Sequence, residues 1–427
     1  MSTYLLCATP IYGNVAPLVA IAARLVTSGN RVLFLTGSRF ASTVEATGAE
    51  FVALEGNADF DDRDPDSHLP DRLKYRGLAR AQYDIQTIFV TPIPSQYHSV
   101  MRLLDTEAPD AILADAMFAG VGPLLESTGR TVPILAIGAT PLAQSSVDVA
   151  PMGTAMPPSS SRLGHVRNRA LNLIATRVLF RDTQRVGQRM FAEVGATLTS
   201  NIMDLSRAFD AFLQLTVPAF EYPRGDLSAG LSFVGPVLPT PKGIPLPDWW
   251  EDLDGSRPVV HVTQGTIDNL DLGRLIRPTI EALANDDVLV VVTLGGRAAD
   301  LGELPANVRV ADFLPYDALL PRTDVYITNG GYGGVQYALS HGVPLVVAGD
   351  TEDKPEVAAR VAWSGTGIDL RTGTPRAARI ADAVRKILAD SGYRDRARAI
   401  AADMAATDAL SAVDAALRTA VTEYSAR

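Results

Sequence analysis

Along the first third of the chain, short apolar runs alternate with stretches in which apolar residues recur every three to four positions. That rhythm predicts strands feeding helices in βαβ units, and therefore a parallel sheet. Strands are expected over residues 5–9, 32–36, 50–54, 111–115 and 132–137. The first two helices are expected at 15–28 and 38–47, each followed by a glycine, Gly29 and Gly48, where a left-handed C-terminal cap belongs. The rhythm lapses over 137–164, a segment rich in Pro, Ser, Gly and Met that reads as a long mobile loop beside a site. Helical periodicity returns over 166–192. Five prolines between Gly235 and Trp250 then preclude regular structure and describe a stiff connector.

Beyond the connector the βαβ rhythm resumes, with strands expected at 259–263, 288–294, 308–313, 325–328, 345–348 and 367–370. An Ala-rich helical tail follows over 376–424, broken at Gly392. The expected fold class is α/β: two Rossmann-like, doubly wound parallel-sheet domains facing a cleft, the place where open α/β sheets bind ligands. The first domain is set at 1–234, the linker at 235–250 and the second domain at 251–407. A tail at 408–427 is expected to pack back on the first domain. A length of 427 residues suits two such units.

Composition narrows the function classes. Against 38 Lys and Arg stand 48 Asp and Glu, a net charge of −10, which disfavours nucleic acid as a partner. The single cysteine, Cys7, excludes an intrachain disulfide framework and a cysteine-based zinc cluster. The apolar run at residues 4–8 is too short for a secretory leader, and no apolar run reaches 18 residues, so a cytoplasmic protein without a membrane span is expected. The acidic stretch 59–71 is read as a solvated loop. The oligomeric state is not legible.

The densest chemical signal is Asn329-Gly330-Gly331-Tyr332-Gly333-Gly334, between an apolar strand and a helix. Glycines there let backbone approach a ligand, and a helix start presents free N–H groups, so an anion such as a diphosphate suits the turn. The turn Gln264-Gly265-Thr266 leaves another strand and either offers backbone donors to the same anion or is only a common turn. Phe313, followed by Leu314, is either a platform for a flat base or a core aromatic. A carboxylate at Asp353, next to Lys354, is either a sugar-hydroxyl acceptor or an acidic helix start.

These loops, in this order, resemble the donor domain of GT-B glycosyltransferases, in particular the bacterial antibiotic and macrolide branch related to UDP-glycosyltransferases. The likeness covers essentially the whole chain. It implies that Phe313-Leu314-Pro315-Tyr316 stands where that family holds the base, that 329–337 stands where it binds diphosphate and ribose, and that Asp353-Lys354 stands where it reads the sugar. Several side chains depart from the family pattern. Asn329 replaces a histidine, Gly334 a hydroxyl residue, Tyr337 a glutamate and Lys354 a glutamine.

The resemblance further implies a catalytic pair, Asn14 and Asp115, but an amide stands at Asn14 where the family has a His or Asp base. Three readings stay open. Asp115 acts as the base, or Asn14 positions a nucleophile that needs none, or the protein binds without turnover. His68 and His98 are the histidines on the acceptor side that qualify as replacement bases. Tyr75, Tyr83, Phe89, Phe118, Met152 and Met156 are the candidate lining of an apolar acceptor pocket.

The implied activity is inverting transfer of a hexose, with glucose favoured, from a UDP-sugar to a hydroxyl of a bulky hydrophobic natural product such as a polyketide or macrolide-type antibiotic. The nucleotide sugar is a co-substrate, UDP preferred to dTDP, with no metal and no resident cofactor. The alternatives are a UDP-sugar epimerase and a catalytically silent partner protein.

Overall fold

In the computed structural model, residues 1–238, 243–265, 269, 271–296 and 300–426 are described. Their strands form two all-parallel sheets. The first contains β1 (Thr3–Cys7), β2 (Arg31–Thr36), β3 (Glu50–Ala53), β4 (Ala111–Asp115), β5 (Ile134–Gly138), β6 (Ala211–Gln214) and β7 (Leu231–Phe233), in the order β3-β2-β1-β4-β5-β6-β7. The second contains β8 (Val259–Thr263), β9 (Leu289–Thr293), β10 (Val308–Ala311), β11 (Val325–Thr328), β12 (Leu345–Val347) and β13 (Gly367–Asp369), in the order β10-β9-β8-β11-β12-β13. Each sheet reverses direction beside its first strand, which opens a crevice at the carboxyl edge.

The central strands VVHVT and LVVVT are buried at every position, as strands covered by helices on both faces must be. Strands β6 and β7 were absent from the sequence reading, because four and three residues at one side of a sheet are too short to show a period. The helix expected at 38–47 is a 3-10 turn, Ser38–Phe40, running into Ala41–Glu45. The helix expected at 166–192 is two, Arg162–Ile174 and Arg181–Glu193, separated by a π turn and Phe180.

Two loops depart from expectation for a shared reason: carboxylates gather their backbone N–H groups. Residues 139–161 are irregular, yet Leu142 N donates to Glu221 at 3.0 Å, Ser145 N to Asp204 at 3.0 Å and Val147 N to Asp226 at 3.0 Å, so the segment is tied down where a mobile loop was expected. In the acidic stretch, Asp59 accepts from Ser38 N at 2.8 Å and Asp62 is buried against Arg39, so this is a bracing element where a solvated loop was expected.

The tail forms helices Ala377–Ala389, Ser391–Ala405 and Ala409–Ser425. The break at Gly392 is displaced to Asp390, whose side chain caps Gly392 N at 2.9 Å. The last helix returns to the first sheet, where Val413 and Leu417 join Leu18, Ile21 and Leu25 of helix Tyr12–Thr27 in one core. At the crossing Gly235 (φ +88°) lies against Thr407, whose Oγ1 would stand 1.9 Å from any β-carbon there. No helix among the described residues is long and apolar enough to cross a membrane.

Leu417 is completely buried between the tail and the first domain. Leu417→Ala is expected to lower stability by about 2 to 5 kcal/mol, read as an earlier urea transition by tryptophan-independent circular dichroism.

Candidate active site

At the carboxyl edge of the first sheet, helix Tyr12–Thr27 begins directly after β1, and its start is fixed by Tyr12 N donating to Asp62 Oδ2 at 2.8 Å. This places Asn14, 6 % exposed, opposite Asp115, the last residue of β4. Asn14 Nδ2 donates to Asp115 Oδ1 at 2.8 Å; Thr9 N donates to Oδ2 and Met117 N to Oδ1, both at 2.7 Å. Burial pushes the Asp115 carboxyl above the usual carboxylate range, while the N–H groups of Thr9, Met117 and Asn14 pull it back. A carboxylate can only accept, so the Asn14 amide nitrogen faces it and the Asn14 carbonyl oxygen is left to accept from another group.

Across the gap, β11 runs into Asn329 and Gly330 (φ +93°) before helix Tyr332–Ser340. Asn329 Nδ2 donates to Gln264 O at 2.7 Å, which ties the two turns together. Gly330 and Gly349 are dictated by packing, since added β-carbons would fall 2.8 Å from Val347 and 2.0 Å from Asn329 O. Gly334 is hemmed in by the Tyr326 hydroxyl. Gly331 and Gly333 differ. Neither has a left-handed φ and an added β-carbon meets nothing within 4 Å, so the protein itself does not require glycine there. The helix has no side-chain N-cap, which leaves its first N–H groups and its positive dipole end turned to that open space.

Helix Lys354–Trp363 begins beside this turn, with Lys354 packed against Gly330 and Gly349. Burial and then Glu352 raise the Asp353 carboxyl to about 6, against the pull of Lys354. Lys354 Nζ donates to Thr351 at 3.1 Å and to Glu352 at 2.5 Å. Phe313 is half exposed and packs over Gly296, a position open to a stacked ring.

Other expected site residues are placed elsewhere. Gln264 is 2 % exposed and its side chain is spent on structure, donating to Asp271 O and accepting from Leu275 N and Ile276 N at the head of helix Ile276–Leu283. Leu314 is in the second domain's core with Trp250 and Val291, and Phe118 is fully buried in the first domain's core. The Tyr332 ring stacks on Phe220, away from the open turn. The side chains of Leu314 and Phe118 are thus in the cores, where a base contact and an acceptor wall were expected, while those of Gln264 and Tyr332 are engaged within the protein and leave their turns only backbone to offer. Thr266 lies outside the described residues. Gly265 adopts φ +75° beside the turn.

Of the residues expected to line an acceptor pocket, Tyr75 and Tyr83 stack with ring centroids 5.0 Å apart, Phe89 is half-buried, and Met152 and Met156 sit on the anchored loop, Met152 exposed and Met156 half-buried. His68 stacks on Phe60, and burial lowers its pKa; His98 points outward on helix Ile93–Glu107. Neither His68 nor His98 is hydrogen-bonded to the Asn14–Asp115 pair among the described residues.

Three charged residues beside the site went unread in the sequence, Glu221, Glu356 and Arg360, and a fourth, Asp62, was expected only as part of a solvated loop. The available signal was Glu356 and Arg360 at i, i+4 amid Val357, Ala358, Ala359 and Val361, charges with apolar neighbours on every side.

Residues 277–417 match the family described as erythromycin biosynthesis protein CIII-like, C-terminal domain. Over 409 residues, 95 % of this chain and 96 % of the relative, the sequence is 42 % identical to 4'-demethylrebeccamycin synthase of Lentzea aerocolonigenes. It is 38 % identical to UDP-glycosyltransferase 2 of Phaeomoniella chlamydospora, covering 96 % of this chain and 93 % of the relative. The chain belongs to the UDP-glycosyltransferase family. This glycosyltransferase has the GT-B fold: it superposes on the calicheamicin glycosyltransferase CalG4 with a TM-score of 0.75 at 20 % identity, over 99 % of this chain and 98 % of that one.

In the glycosyltransferase, Asp115→Asn would set an amide against N–H donors. It is expected to cost about 3 kcal/mol, on the order of one or two charge-assisted hydrogen bonds, seen as a lower denaturation midpoint. An unchanged midpoint would show that the carboxylate does not hold the pair.

Proposed function

We propose that the enzyme transfers a hexose, glucose, from a UDP-sugar to a hydroxyl of a bulky hydrophobic natural product of polyketide or macrolide type, with inversion at the anomeric carbon. The observation that carries the reading is the uncapped helix start at Gly331 and Gly333, two glycines the fold itself does not need. A diphosphate seated there receives backbone hydrogen bonds and the helix dipole, and both strengthen as negative charge develops on the leaving group. Residues 251–407 hold the donor and 1–234 the acceptor. Relatives named UDP-glucosyltransferase, such as A1 of Starmerella bombicola at 33 % identity, support UDP and glucose. The relative named for rebeccamycin supports an antibiotic-like acceptor. The names of the relatives also favour transfer over epimerisation or a silent partner.

The acceptor hydroxyl attacks the anomeric carbon from the face opposite the diphosphate. Its oxygen–carbon bond forms as the carbon–phosphate oxygen bond breaks, the electron pair leaves with the UDP, and the proton passes to solvent. Asn14, held by Asp115, accepts from the hydroxyl through its carbonyl oxygen and aims it. Asp115 has N–H donors on both oxygens and serves as the anchor of Asn14. Positioning then supplies much of the rate. Phe313 carries the uracil, and Asp353 accepts hydrogen bonds from sugar hydroxyls when ionised.

Gly331→Val adds a branched side chain where the protein leaves room but a diphosphate does not. UDP affinity by calorimetry is expected to fall at least tenfold with the melting temperature held; retained affinity would contradict the reading. Because Asp353 titrates near 6, it is ionised at pH 7.5 and protonated at pH 5. The KM for UDP-glucose is therefore expected to rise as pH falls through 6, and Asp353→Asn to flatten that profile at the high, low-pH value.

A further inference from the structure

Glu356 lies one turn into the helix that begins at Asp353 and Lys354, and its carboxylate is turned toward the other domain. Its Oε1 accepts from two backbone N–H groups of the loop 139–161: Gly153 at 2.7 Å and Ala155 at 2.8 Å. Both loop residues are left-handed, Gly153 at φ +94° and Ala155 at φ +50°. The loop thus holds a non-glycine residue in an unfavourable conformation while two N–H groups converge on one oxygen, the geometry of an anion nest. The other oxygen accepts from Arg360 Nη1 at 3.0 Å.

Arg360 is 2 % exposed and carries the link onward. Its Nε and Nη2 donate to Glu221 Oε1 at 2.9 and 2.6 Å, and its guanidinium lies 4.3 Å from the centroid of the Tyr222 ring. Glu221 Oε2 in turn accepts from Leu142 N at 3.0 Å, near the start of the same loop, and Arg224 Nη2 donates to Leu142 O at 2.7 Å. The loop is therefore held near its start by Glu221 and at its tip by Glu356, and one guanidinium joins the two carboxylates. Two acids and two arginines, Arg224 and Arg360, balance in charge inside the protein.

We propose that Glu356 is a positioning residue that couples the donor site to the acceptor site, by registering the loop bearing Met152 and Met156 to the helix that starts at the sugar-facing pair. The proposal rests on the reading of Asp353 and Lys354 as that pair. Sugar binding at the head of the helix sets the position of Glu356 one turn later, and through Gly153 and Ala155 sets the acceptor wall. By linkage, an acceptor against that wall tightens the hold on the donor by the same factor.

The test is amide hydrogen exchange of the segment 150–158 in the full-length enzyme, with UDP-glucose as the probe, comparing wild type with Glu356→Ala and the isosteric Glu356→Gln. In wild type, saturating UDP-glucose is expected to slow exchange of the segment at least threefold. Without ligand, Glu356→Ala is expected to speed it at least tenfold, Glu356→Gln to fall between, and both variants to lose the response to UDP-glucose. Should Glu356→Ala fail to fold, Glu356→Gln decides, because Glu221 still holds Arg360. Exchange at the wild-type rate in a folded variant, or a ligand response that survives in Glu356→Gln, would overturn the coupling. Absence of any binding heat between wild type and UDP-glucose would instead defeat the donor reading, while the ligand-free rates would still report on the latch.

Discussion

The guanidinium of Arg360, closed in between Glu221 and Glu356, is the contact on which the relation between the two domains depends. It is buried where an unpaired charge would be intolerable, so each carboxylate must stay within reach of it and the segments that carry them must stay in register. Gln336 adds a second bridge by donating to Leu215 O at 2.7 Å, and Phe220 stacks beside Tyr332. The carboxyl edges of two parallel sheets are thereby presented to each other across a crevice. Every group assigned to the chemistry sits on one of those edges.

The Asn14–Asp115 pair shows what a side chain that cannot take a proton has left to offer. An amide clamped by a carboxylate has one free function left, a carbonyl oxygen of fixed direction. The clamp is built mainly from backbone, since Thr9 N and Met117 N reach Asp115 whatever their side chains are. Asp62 steadies the same helix start from the far side. The pair is therefore held stiffly from both sides, which is the property that the proposed aiming of a nucleophile would use.

Much of this architecture was legible in the sequence because fully buried parallel strands such as 259–263 and 325–328 are short apolar runs ended by glycine-rich turns. The glycines at 29 and 48 marked helix ends because both adopt the left-handed conformation expected of them. The pairing of Asn14 with Asp115 came from the family resemblance, since no local pattern joins residues a hundred positions apart. The burial of Leu314 and Phe118 was not legible because an apolar side chain next to a candidate site is equally suited to the core beneath it. The role of the Gln264 side chain was not legible, because a polar residue in a turn can serve the backbone of the next helix as readily as a ligand. Arg360 and Glu356 stayed hidden because charges on a helix usually face water, and only the three-dimensional partner reveals that these do not.

The meeting of Gly235 with Thr407 bears on how the halves can move. The chain passes between the domains twice, once outward after β7 and once on the return to helix Ala409–Ser425, and the two passages touch at this pair. Two crossings that touch fasten the two passages at one place, so the halves cannot part there without breaking the Gly235–Thr407 contact.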